Sequence, residues 1–239
     1  MPQRLRDAGR AGLSLVELLV VTGIIGVLAA LLTAGIGYAW KAANQASCVS
    51  RLRQIGVALQ QHANDHDQMV LLYSYTPATE TTSASAIEWS EMLADYGLRM
   101  ADCHCPSWPV KNKKSTYTTL GRRGSADISS SLILRGYAGT AVGGASWLYL
   151  NRIPQRSRYV FWADSVFPLG SGSAARAGEQ AYSFRLDGVK AGEQGVHLRH
   201  NGKANVGFLD GHVETLNPAG LRDIGIPSGY DRNIKPITW

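Results

Sequence analysis

Gly12-Leu13-Ser14-Leu15-Val16-Glu17, followed by LLVVTGIIGVLAALLTAGIGYAW from Leu18 to Trp40, is the stretch that decides the fold. The 23 residues between Glu17 and Lys41 carry no charge. At about 1.5 Å per residue, a helix of that length spans roughly 34 Å, enough to cross a bilayer core. It is longer than the apolar core of an ordinary secretory signal, about 7–15 residues. Arg4, Arg6 and Arg10 precede it and no comparable basic cluster follows directly. That asymmetry orients the N-terminus toward the cytoplasm and puts everything after about residue 41 beyond the membrane.

Glu17 is out of place in such a segment. It lies inside the apolar run that starts at Leu13, and an acid at the centre of a membrane helix costs about 2.5–3.5 kcal/mol, less near the interface. Two readings account for it. In one, Glu17 is a headgroup-level acid that marks the membrane edge. In the other, the chain is cut after Gly12, and the new cationic amine of Leu13 on one subunit neutralises Glu17 on its neighbour as helices pack in a filament. A buried pair of this kind specifies register more than it adds stability.

The run from Gly12 to Val21 resembles the type IV prepilin signature: a short basic leader, Gly before the cut, a hydrophobic first mature residue and Glu at mature position five. The family usually places Phe first, where this chain has Leu13. The resemblance implies cleavage between Gly12 and Leu13 by a prepilin peptidase, N-methylation of Leu13, and assembly through Glu17 into a type II secretion pseudopilus or a type IV pilus-like filament. The implied partners are that peptidase, other pilin or pseudopilin subunits and the bacterial inner membrane, which the chain would cross once. The C-terminal domain would then be periplasmic, or extracellular in a filament.

Beyond Lys41 the pattern becomes amphipathic. Cys48, Leu52, Ile55, Leu59, His62 and His66 recur at spacings of three and four, one face of a continuing helix. The expected organisation is a leader over 1–12, a transmembrane and assembly helix over 13–40, and an exported domain over 41–239 that includes the amphipathic half of the helix, 41–67. The fold class is α+β and pilin-like, with the long N-terminal helix packed on a C-terminal antiparallel sheet. Gly23, Gly26, Gly35 and Gly37 either let neighbouring helices approach closely or are ordinary membrane-helix composition. Glu88–Tyr96 reads as a short helix ended by Gly97. Strand candidates are 147–150, 158–164, 196–199, 205–209 and 212–216. Asn201-Gly202 and Asp210-Gly211 each suit a type I′ hairpin, which predicts a three-stranded meander over 196–216.

Composition excludes several classes. A chain of 239 residues with 45% hydrophobic and 18% charged content is neither disordered nor repeat-built. Lys plus Arg exceed Asp plus Glu by 24 − 18 = 6, but no dense basic run with interleaved aromatics supports nucleic-acid binding. No G-x-S-x-G, H-E-x-x-H or P-loop motif appears, so no enzyme is expected.

RHNGKANVGFLDGHVETL, from Arg199 to Leu216, carries a second resemblance. His200, nine residues and then Asp210-Gly211 is similar to the H-X9-DG element of a prepilin-like family. Patches around Cys48–Asp67, Cys105-Pro106 and Pro154–Ser165 look like the same family. His200, Asp210 and His212, with Asp164 at the end of another strand, are candidate metal ligands, imidazole with carboxylate suiting zinc better than calcium. The alternative is that Asp210 shapes its turn and His200 bonds a neighbouring strand, with no cofactor required. In an oxidising compartment Cys48 and Cys105 are the expected disulfide pair, with Cys103 free. Against that stands a chain with three reduced thiols and Cys48 acting as a small buried residue. A membrane-anchored surface-binding module or adhesin, neither cut nor assembled, is the alternative function.

Overall fold

The computed structural model describes residues 14–76, 85–108, 110, 121–123, 138–140, 146–170, 176–189 and 192–239. Gly12 and Leu13, the expected cleavage pair, lie outside the described residues. The chain divides into two units, residues 1–42 and 43–239.

Helix α1 runs from Leu15 to Asp65, within two residues of each boundary expected from spacing. It opens on a capping box. The Ser14 N–H donates to Glu17 Oε2 at 2.9 Å, and the Glu17 N–H donates to Ser14 Oγ at 3.2 Å. Ser at the cap and Glu three residues on satisfy two helix-end donors reciprocally. The large apolar side chains from Leu15 to Trp40 remain 51–79% exposed, and this segment is long and apolar enough to cross a membrane. Asp67 and Gln68, at φ 51° and 61°, end the helix and turn the chain into the first strand.

In unit 2 the same helix has a buried face. Cys48, Leu52, Ile55, Leu59 and His62 are buried as their spacing requires, and Ala58 and Ala63 join them; His66 is exposed. This face packs with Trp89, Leu93, Leu148, Leu150, Phe161, Trp162 and Leu209. Burying each large aliphatic side chain contributes about 1.5–3 kcal/mol.

Strands β1 (Met69–Thr76), β2 (Ser85–Glu88), β4 (Ala138–Thr140) and β5 (Ser146–Tyr149) form an antiparallel sheet in the order β2-β1-β5-β4. Between β2 and β4 lie α2 (Trp89–Met92) and β3 (Gly121–Arg123). The short helix expected over 88–96 is α2 followed by a 3₁₀ turn over Ala94–Tyr96, closed by left-handed Gly97. A second sheet takes the order β11-β10-β6-β3-β8, from β6 (Val160–Ala163), β8 (Ser183–Phe184), β10 (Ala204–Phe208) and β11 (Val213–Leu216). Its pairings are antiparallel except β3 with β8. A second core of Val160, Phe184, Val196, Leu198, Val206, Phe208, Leu221 and Ile226 lies beside this sheet. The chain is therefore α+β, with a long N-terminal helix and a largely antiparallel C-terminal domain.

The expected meander forms only in part. β10 and β11 pair as a hairpin, but β9 (Gly195–Val196) pairs with β7 (Ser165–Val166) in a separate two-stranded sheet, and β6 takes the other side of β10. The Asn201-Gly202 turn has both residues at positive φ, 57° and 76°, with His200 and Lys203 exchanging backbone hydrogen bonds at 3.0 and 3.1 Å. That is type I′ geometry. The Asp210-Gly211 turn is not. Only Gly211 has positive φ, 92°, and a longer loop is closed by Phe208 N–H donating to His212 O at 3.0 Å. Gly211 also meets the helix: a Cβ on Gly56 would lie 3.0 Å from Gly211 Cα. After β11, helix α3 (Pro218–Asp223) and the β12 (Ser228–Tyr230) and β13 (Pro236–Thr238) pair complete the chain.

Candidate functional site

Four residues remote in sequence meet inside unit 2. Cys48 comes from the buried face of α1, and Cys105 follows the 3₁₀ turn Met100–Cys103. Asp164 occupies the break between β6 and β7, and His200 opens the type I′ turn before β10. One ligand atom from each lies within 4.8 Å of all the others. Cys48 Sγ donates to Asp164 Oδ1 at 3.3 Å, Cys105 Sγ lies 3.4 Å from His200 Nε2, and His200 Nε2 lies 3.3 Å from Asp164 Oδ2. All four are between 0 and 4% exposed.

Each segment is held by backbone. The Asp164 N–H donates to Asn205 O and its C=O accepts from His197 N–H, both at 2.9 Å, while the Asn205 N–H donates to Asp164 Oδ2 at 2.7 Å. The residue at which the strand leaves one sheet for another is thereby tied to both neighbours. The Cys105 N–H donates to Gln180 Oε1 at 3.0 Å. Arg51, on α1, donates to the carbonyls of His104 and Ala101, the latter at 3.1 Å, and holds this loop on the helix.

Arg199 supplies the charge beside the cluster. Its Nε lies 3.8 Å from Asp164 Oδ1, and its other nitrogens donate to Gln180 Oε1 at 2.7 Å and to Ser165 O. The guanidinium also sits 5.6 Å over the Trp108 ring. Burial works to raise the Asp164 pKa, but the Arg199 charge and the His200 hydrogen bond outweigh it and hold it at about 2. For His200, burial lowers the pKa while hydrogen bonds to Asp164 and Cys105 raise it, to about 9. Burial pushes the Cys48 thiol up. On Cys105 burial acts in the same direction, but hydrogen bonds from Cys48 and His200 prevail and favour the thiolate.

The arrangement suits convergence on one point better than a catalytic relay. A nucleophile–base–orienter triad uses opposite nitrogens of its histidine. Here Cys105 and Asp164 both approach Nε2. A buried Cys₂-Asp-His set of this kind could hold a metal ion.

The candidate ligands named from sequence divide. His200 and Asp164 belong to the cluster; Asp210 and His212 do not. Asp210 Oδ1 instead accepts from His212 N–H at 3.2 Å and contacts His212 Nδ1 at 2.5 Å, and the His212 ring stacks on Phe208 at 4.1 Å. Both residues shape the turn. Cys48 and Cys105, the expected disulfide pair, stand side by side as thiols in the cluster, whereas the Cys103 thiol donates to Arg99 O at 3.6 Å. Arg199, Gln180 and Trp108 went unread in the sequence. A buried Arg directly before a turn has no local periodic signature, so no spacing rule would have singled it out.

At the other end of the chain, Glu17 is occupied by the capping box, a role the S-x-x-E pattern before an apolar run could have signalled.

The chain matches no family model, no curated protein and no solved structure.

Proposed function

We propose that the chain is a pilin-like structural subunit of a type II secretion pseudopilus or type IV pilus-like filament. A prepilin peptidase cuts it between Gly12 and Leu13, the Leu13 amine is methylated, and the apolar part of α1 anchors the subunit in the inner membrane until it enters the filament. Unit 2 is carried on the far side. The observation that carries this reading is α1 itself: one helix, bare over its apolar half and packed over its second half.

Three details support it. A Cβ placed on Gly23, Gly26, Gly35 or Gly37 would meet nothing within 4 Å, so these glycines answer no packing need among the described residues. They suit the close approach of neighbouring helices. Thr22 Oγ1 donates back to Leu18 O and Leu19 O at 2.9 and 3.0 Å, which satisfies its hydroxyl in an apolar medium. The capping box fixes Glu17 in the first turn of α1, the end of the helix at which the proposed pairing with a neighbour's Leu13 amine needs a carboxylate.

Mass spectrometry of the N-terminus, on protein taken from membranes of cells with a prepilin peptidase, tests the reading. It expects methylated Leu13 as the first residue, and Glu17→Ala should insert normally yet fail to enter filaments. An intact N-terminus in the membrane-bound protein would favour a simple anchored surface module instead.

A further inference from the structure

We propose that Cys48, Cys105, Asp164 and His200 bind a single zinc ion as a closed structural site. With metal–ligand lengths of about 2.0–2.3 Å, tetrahedral neighbours lie roughly 3.3–3.8 Å apart. Cys48 Sγ lies 3.3 Å from Asp164 Oδ1, His200 Nε2 lies 3.3 Å from Asp164 Oδ2 and 3.4 Å from Cys105 Sγ, and one ligand atom from each of the four residues lies within 4.8 Å of the others. The four side chains therefore already converge to within the separations that one small ion needs, and closing the remaining pairs to tetrahedral spacing requires only local side-chain adjustment.

The donor set selects the metal. Two sulfurs and an imidazole disfavour calcium and magnesium, which take oxygen ligands in larger number. Zinc accepts sulfur, nitrogen and oxygen together, imposes no geometry beyond the tetrahedral one and exchanges no electrons with thiolates. Charge closes as well. Two thiolates and the Asp164 carboxylate bring three negative charges, balanced by the ion and by the Arg199 guanidinium 3.8 Å from Asp164. Arg199 thus serves as the charge partner of the loaded site, held there by Gln180 and Ser165. Four buried protein ligands leave no open coordination position, so the ion would be structural. It would tie α1 to the Cys105 loop, the β6–β7 break and the His200 turn. The site lies wholly in unit 2 and does not rest on the filament reading.

The test uses the full chain, extracted in detergent under reducing conditions and purified without a metal-affinity tag. Elemental analysis should find about one zinc per chain. Cobalt exchanged into the protein should show thiolate charge-transfer absorption and the intense visible bands of a tetrahedral site. Cys105→Ser and His200→Ala should each weaken zinc retention against a chromophoric chelator by more than about 100-fold, beyond the roughly 10–100-fold loss typical of an outer-shell partner. Cys103→Ser should retain the ion. A reduced wild-type chain that stays metal-free after incubation with zinc overturns the proposal, as does undiminished retention in Cys105→Ser. So does a non-reducing peptide map that joins Cys48 to Cys105 in metal-free exported protein. If the ligand variants do not fold, the wild-type zinc content and cobalt spectrum decide alone, and absent thiolate bands refute the site.

Discussion

The two halves of α1 solve opposite problems with one backbone. Over Leu15–Trp40 almost every side chain is apolar, none of the large ones is covered, and the polar groups Ser14, Glu17 and Thr22 satisfy themselves within the helix. Over Lys41–Asp65 most large apolar residues lie on one buried face, Val57 being the exposed exception, and polar residues such as Arg51 and Gln60 reach out to loops of the domain, Gln60 Nε2 donating to Leu209 O at 2.6 Å. The first half leaves its apolar surface uncovered among the described residues. The second has spent it within unit 2, and can therefore position chemistry, as it does with Cys48. Substitutions at matched positions should separate the two.

The largest effect is expected at the buried charge. Asp164→Asn removes the counter-charge of Arg199, whose side chain is fully buried. Breaking such a pair from one side costs about 3–5 kcal/mol. Denaturant unfolding followed by the fluorescence of Trp89 and Trp162, both buried, measures it; a loss under about 1 kcal/mol would mean that solvent reaches the cluster.

Next come matched leucines. Leu59→Ala on the packed half should destabilise unit 2 by about 2–5 kcal/mol, while Leu28→Ala on the bare half should leave its unfolding within about 0.5 kcal/mol of wild type. Equal losses would erase the distinction between the halves. Matched glycines are a finer probe. Gly56→Ala brings a methyl to 3.0 Å from Gly211 Cα and 3.3 Å from Gly211 O, backbone that cannot swing aside. About 1–3 kcal/mol of overpacking follows. Gly26→Ala meets nothing within 4 Å among the described residues, so its effect should appear only as altered helix association in membranes, read by cross-linking.

The smallest expected effect is a pH slope at the end of the packed half. His62 stacks on His66 at 4.2 Å and meets the Tyr96 edge at 5.4 Å. Burial first, and the neighbouring His66 charge second, push its pKa below the usual 6.5, with Asp65 opposing. The unfolded chain then binds the proton more tightly than the folded one. The stability contributed by neutral His62 is full above pH about 6.5 and falls as pH drops below it. His62→Gln should flatten that part of the wild-type stability curve, and an unchanged slope would place the titration elsewhere.

The cluster shows what was legible and what was not. All four of its residues stood out in the sequence, but in two separate sets: Cys48 with Cys105 as a disulfide pair, and His200 with Asp164, Asp210 and His212 as metal ligands. The expected meander would have brought His200, Asp210 and His212 together. Instead, the hairpin carries Asp210 to a turn against Gly56 and leaves His200 facing residues 48, 105 and 164. The Cys48–Asp164 hydrogen bond alone closes a separation of 116 residues, and no spacing rule reaches that far.

Residues adjacent in sequence settled what their own chemistry can settle. An uncharged run beginning after a capping box makes a helix of membrane-crossing length wherever it stands. The three-and-four spacing from Cys48 to His62 sets which face is buried, and Asn201-Gly202 takes the positive φ that a two-residue turn demands. The tertiary structure decided the rest. It sent β9 to β7 rather than β10, put β6 on the free side of β10, and set Asp164 at the break between two sheets. Those choices depend on which strand edge is left uncovered once both cores have packed. That competition is among distant segments, and local propensity is indifferent to its outcome.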